Sequence, residues 1–191
     1  MKKQILLFLL MFLALFCNAQ SGKPIKQEGA FSTALSAIII DFKNNFSNIQ
    51  SNELAGASST NTYTSSICLP DAVHCTVERY NSEEDKSASW QALLFEGENY
   101  EDAVKAYKNV FKQVRTSTIS GIDDKPVGFI GGLEKPDENI RFTVSTLRLS
   151  AINKKYKDFI ASIELNNNML GWEVTISLYR KKPDTEGSMI Q

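Results

Sequence analysis

His74 is the sole histidine in the 191-residue chain. A site built from several imidazoles is therefore excluded, and a serine or cysteine nucleophile has one imidazole available as its base. The surrounding pattern argues against that use. His74 shares the polar phase of a strand-like run with Thr76 and Glu78, and it reads as an exposed side chain. Cys75 is its neighbour in sequence but falls on the opposite strand face, which is poor geometry for a Cys–His pair. Glu83, Glu84 and Asp85 lack the spaced ligands and turn glycine of a calcium loop, so they read as a solvated hairpin tip. Asp123 and Asp124 are no more definite. Gly128, Gly131 and Gly132 make no phosphate-binding pattern, because no strand precedes them and no GKS or GKT ending follows. The sequence thus assigns no catalytic residue, no cofactor site and no metal site. Carboxylates are plentiful, but no spacing selects a pair.

A sharper feature is cationic. If Asn166–Asn168 forms the turn of a terminal hairpin, Tyr156 comes opposite Leu178. Lys154, Lys155 and Lys157 then gather beside Arg180, Lys181 and Lys182, with Tyr156 and Tyr179 among them. Such a group could bind an anionic glycan, a lipid head group or an acidic protein surface. Exposed lysines also deter strand edges from pairing with other chains, and that plainer reading weighs more. Trp90 and Trp172 could stack on sugars, yet both take the apolar phase of their strands and are expected in the core.

The start of the chain sets the context. Lys2 and Lys3, an apolar run from Ile5 to Phe16 and the small residue Ala19 before Gln20 have the order of a secretory signal cleaved after Ala19. The run is shorter than the roughly 18 residues of a membrane span. Phe16 directly before Cys17 disfavours a lipoprotein signal. The expected product is exported, periplasmic or secreted, with no stable membrane insertion after cleavage. Losing Lys2 and Lys3 moves the formal net charge from −1 to −3, which gives no basis for a nucleic-acid binder. Cys68 and Cys75 remain, and an oxidising compartment makes a disulfide available to them. Strand alternation places Cys68 on the face away from Cys75, so the sequence leaves this pairing undecided.

Residues 20–30 read as a flexible arm, 31–182 as a single α+β domain and 183–191 as a flexible tail. Leu35, Ile38, Ile39, Phe42, Phe46 and Ile49 recur at helical spacing, and the polar stretch 50–61 reads as a loop. Strands are expected over 62–69, 73–80 and 87–96. A second helix, capped by Asn99, carries the stripe Ala103, Val104, Tyr107, Val110, Phe111 and Val114. After a Gly- and Pro-rich loop that leaves room for a short extended piece around Val127 to Ile130, strands are expected over 140–149, 156–165 and 169–181. In the first of these, Ile140, Phe142 and Val144 keep one phase while Leu147 and Leu149 take the other, which suggests a β-bulge near Ser145 or Thr146.

The expected fold is two helices packed on an antiparallel sheet of about six strands, in the order α-β-β-β-α-β-β-β. That order hints at an internal duplication. Ala34, Ala37, Phe42 and Lys43 align with Ala103, Ala106, Phe111 and Lys112, although amphipathic helices also match by chance.

Trp90-Gln91-Ala92, the run from Gly132 to Thr143 and the ending from Gly171 to Lys181 make the chain similar to small exported bacterial proteins without an assigned activity. That resemblance implies structural motifs and no catalytic residues. The element order also resembles secretion-chaperone-like α+β folds, an analogy that carries no function. The leading functional expectation is an exported, non-catalytic interaction or binding module of the bacterial envelope, its partner an envelope protein or an anionic glycan. The alternative is a carboxylate-dependent hydrolase acting on envelope material.

Overall fold

A computed structural model describes residues 29–56, 60–81 and 86–181. The expected signal peptide, most of the arm, the C-terminal tail and the acidic tip at residues 83–85 lie outside the described residues.

Among the described residues, two helices and eight strands form an α+β fold. Helix α1 (Ala30–Asp41) leads into strands β1 (Gln50–Gly56), β2 (Thr60–Ser65), β3 (His74–Tyr80) and β4 (Ala88–Gly97). Helix α2 (Tyr100–Thr116) leads into β5 (Phe129–Ile130), β6 (Phe142–Leu149), β7 (Phe159–Asn168) and β8 (Gly171–Arg180). The strands make one antiparallel sheet in the order β1-β2-β3-β4-β8-β7-β6-β5. Each half is thus a helix followed by a four-strand meander, and β4 and β8 join the halves at the centre. The sheet has eight strands rather than about six, because the polar stretch read as a loop forms β1 and Phe129–Ile130 forms β5. Strand β1 has no apolar alternation to announce it. It is a polar edge strand with irregular register, held by the Asn52 amide donating to Thr64 Oγ1 and by Arg79 donating to the Gln50 side chain.

Helix α1 stops at Asp41, earlier than its apolar periodicity suggests, and passes into a 3-10 turn over Phe42–Asn44. The Asp41 carboxylate accepts from Asn44 Nδ2, the Asn48 amide and Asn48 Nδ2 at 2.6–2.9 Å, closing the chain into a turn. Asn45 and Phe46 then take left-handed backbone angles. Phe46 and Ile49 still reach the core, by turn geometry rather than helical spacing. Helix α2 begins as its sequence indicates, with the Asp102 amide donating to Asn99 Oδ1 at 3.0 Å. Its Ala103, Tyr107, Val110 and Val114 are buried, with Val104 and Phe111 packed partly exposed beside them.

The core lies between the helices and one face of the sheet. Inward side chains include Val77, Trp90, Ala92, Phe159, Ala161, Ile163, Val174, Ile176 and Leu178. Trp90 and Trp172 are core residues, as their strand phase indicates. The expected bulge in β6 is absent: Phe142 to Leu147 pair with Asn166 to Ala161 without a break. Ser145 is the cause of the misleading pattern. It is fully buried on the inward face, hydrogen-bonded to the Tyr107 hydroxyl at 2.5 Å. Phe142 and Val144 simply face outward.

Cys68 and Cys75 are joined by a disulfide, with Cα atoms 5.6 Å apart. Strand β2 ends at Ser65, so Cys68 sits in the following loop and the face alternation that argued against pairing does not apply to it. This bond is consistent with an oxidising compartment. No helix among the described residues is long and apolar enough to cross a membrane.

Candidate functional site

The sheet face away from the helices holds the candidate site, and strand register builds it. Because alternate side chains point to opposite faces, the residues between the core positions of β3, β4, β8, β7 and β6 all point outward together. Thr76 pairs with Gln91, Gln91 with Ser177, Ser177 with Ser162 and Ser162 with Thr146. Five short polar side chains on five neighbouring strands therefore form one lateral row, with strands spaced about 4.8 Å apart. Alongside it, Leu93 pairs with Thr175 and Thr175 with Glu164. On the other side Glu78 pairs with Ser89.

A depression of about 580 Å³ opens over this face, lined by Ser89, Gln91, Glu164, Glu173, Ser177 and Tyr179 among others, with Arg180 and Lys181 at one end. Its polar groups are partly committed to one another. Gln91 Nε2 donates to Glu78 Oε2 at 3.0 Å, and Ser162 Oγ donates to Glu164 Oε1 at 3.0 Å. Burial pushes the Tyr179 phenol above its ordinary pKa; the nearby Glu164 carboxylate adds to this, while a hydrogen bond with Ser162 opposes it. Tyr179 therefore stays a neutral donor throughout the physiological range. Ser89 is only 5% exposed, and among the described residues its hydroxyl has no hydrogen-bond partner.

The cationic group is arranged differently from the sequence-based expectation. Asn166–Asn168 belongs to β7, and the turn is Met169–Leu170 between the paired residues Asn168 and Gly171. Phe159, not Tyr156, closes the ladder against the end of β8, opposite Arg180. The short turn is fixed by the Leu170 amide donating to Asn168 Oδ1 at 2.7 Å and by Gly171 at φ 127°, where a Cβ would lie 2.6 Å from the Gly97 carbonyl oxygen. Lys154 and Lys155 occupy an exposed 3-10 turn, and Lys157 follows it. The Lys181 amide donates to the Asp158 carbonyl at 2.8 Å, which brings the backbone of Lys181 beside that of Lys157. The Arg180 guanidinium lies 4.6 Å from the Phe42 ring centroid, as a cation–π contact. Tyr156 is buried, stacked on Phe42 with its hydroxyl donating to the Ile40 carbonyl. Lys182 lies outside the described residues.

His74 is exposed on the same outward phase as Thr76 and Glu78. Among the described residues, no group of three or more His, Cys, Asp or Glu side chains could hold a metal ion. A second hollow, beside Asp123, Asp124 and Asn153, is a loop surface whose Asp123 carboxylate is already occupied by the backbone amides of Ile152 and Asn153. The row on the open face is not visible in the sequence, because Gln91, Ser162 and Ser177 come together only through the β4–β8 pairing, which joins the two halves of the chain. The alternation in β8 was the available signal, since it marked Thr175, Ser177 and Tyr179 as sharing one face. A search of protein-family models finds no match to the chain, and neither curated proteins nor solved structures give a significant one.

Proposed function

We propose that the mature chain is an exported, non-catalytic binding module of the bacterial envelope, periplasmic or secreted, and that it receives its partner on the open strand face. The observation that carries this reading is the depression over β4, β8 and β7, whose floor includes Gln91 and Ser177 of the polar row together with the register-paired Thr175 and Glu164 on the central strands. A site on central strands is held by the core beneath it, so little ordering is required on binding. The disulfide accords with export. The repeated helix and four-strand order supports an internal duplication whose two halves meet under the site. Of the described members of the cationic group, only Lys181 lies at the end of the depression with its side chain not assigned to the helix side, since the Arg180 guanidinium sits over the Phe42 ring; an acidic envelope protein or anionic glycan would meet the site at that end.

One observation favours the second reading, a carboxylate-dependent hydrolase: Glu164 and Glu173 are diagonal neighbours on β7 and β8, through the pairs Glu164–Thr175 and Asn166–Glu173. The two readings separate in one experiment. Immobilised mature protein is exposed to solubilised envelope material, and both retention and release of cleavage products are followed. A binding module retains material without cleaving it, and Thr175→Lys on the floor of the depression abolishes retention. Product release that disappears in Glu164→Gln would instead support the hydrolase.

A further inference from the structure

We propose that the ligand of the open-face depression is a neutral polyhydroxylated chain, an oligosaccharide lying across β4, β8 and β7. This rests on the binding-module reading and names its ligand. The lining selects the chemistry. Among the described residues that line the depression, Ala88 is the only aliphatic one, so a peptide carrying apolar side chains finds no pocket for them. The Glu164 and Glu173 carboxylates on its floor repel an anion over most of its length. A simple cation could pair with those carboxylates, but it accepts no hydrogen bond from the neutral Tyr179 phenol or from the serine hydroxyls.

A sugar hydroxyl both donates and accepts. One ligand type can therefore serve the carboxylates, the phenol and the Ser177 hydroxyl in succession, at the spacing set by neighbouring strands. The Tyr179 ring, half-buried at the side of the row, also offers an apolar face to the C–H side of a sugar ring. Ser89 provides independent support. This serine lines the same depression, and its hydroxyl, just beneath the surface, lacks a partner among the described residues. Buried polar groups are nearly always hydrogen-bonded, and a ligand hydroxyl at this position completes Ser89.

The test is an amide NMR titration of the mature protein with three neutral probes, cellohexaose, chitohexaose and maltohexaose, beside a galacturonate hexamer as the anionic arm. The expected result is saturable shifts of the Ser89, Gln91 and Ser177 amides with at least one neutral hexamer, and a weaker response to galacturonate. Ser89→Ala, which removes a side chain that contributes no internal hydrogen bond, should bind that hexamer roughly three- to tenfold more weakly. Ser177→Ala should weaken it by a similar factor. An unshifted depression with all three neutral hexamers, or a response to galacturonate alone, overturns the assignment. Retention of envelope material on the same protein separates the two levels. If neutral hexamers fail but Thr175→Lys still abolishes retention, the open face is the binding site and its ligand is not a neutral sugar. If Thr175→Lys leaves retention unchanged, both the ligand and the site are overturned.

Discussion

The two faces of strands β4, β8 and β7 share one backbone but have opposite surroundings. Toward the helices, Trp90, Ala161, Ile163, Ile176 and Leu178 are fully buried in the core, the Trp90 indole N–H donating to Ser65 Oγ at 2.9 Å. Toward the other side, Gln91, Ser162, Glu164, Ser177 and Tyr179 hydrogen-bond among themselves or line a depression. On the proposed reading, stability and recognition fall to alternate residues of the same strands. Substitutions on the two faces should therefore read out in different assays.

Phe42→Ala should break the covered side most severely. Phe42 is buried against Phe46, Tyr156 and Phe159, with ring centroids 5.1–6.0 Å apart, and it carries the Arg180 contact. Its loss is expected to cost about 3–5 kcal/mol in a denaturant melt. Phe111, only partly buried on α2, should cost clearly less when changed to alanine. The Cys68→Ser, Cys75→Ser pair should lower stability by about 2–3 kcal/mol, the loop-entropy value for a short closed loop, measured against the oxidised protein. Tyr107→Phe removes the hydroxyl bonded to Ser145, and a loss of about 1 kcal/mol is expected. Ser89→Ala should be neutral or slightly stabilising in the same melt, because its hydroxyl has no partner to lose. A destabilisation like that of Tyr107→Phe would show that the open face is part of the structural core.

Alkaline titration sharpens the contrast in another way. Burial raises the phenols of Tyr107, Tyr156 and Tyr179 above the ordinary value of 10.0. The folded state therefore holds these protons more tightly than the unfolded state. The resulting stabilisation is complete below about pH 10 and is lost as pH rises through the raised values. The denaturant midpoint should fall above about pH 10 as tyrosinate absorbance appears.

The helices and central strands were legible because their apolar residues follow 3.6- or two-residue periods, as in α2 and β8. Strand β1 was not, since a polar edge strand buries too little to alternate. Ser145 hid the phase of β6 by placing a polar residue in the core, satisfied by a tyrosine 38 positions away in sequence. The end of α1 was set by Asp41 capturing Asn44 and Asn48, a local arrangement that the apolar spacing of Phe46 and Ile49 obscured. The hairpin turn was displaced because three consecutive asparagines resemble a turn, while the conformation that closes it belongs to Gly171. For the site, β8 disclosed one polar line of side chains. The row itself required the pairing of β4 with β8, which no local signal encodes.

Whether the outward residues of the central strands form the recognition surface is decided by amide NMR of residues 20–191 titrated with solubilised envelope extract. A recognition surface on these strands gives shifts concentrated on Ser89, Gln91, Glu164, Thr175, Ser177 and Tyr179. Shifts confined to Lys154, Lys155 and Lys157, with the open face unchanged, would contradict it.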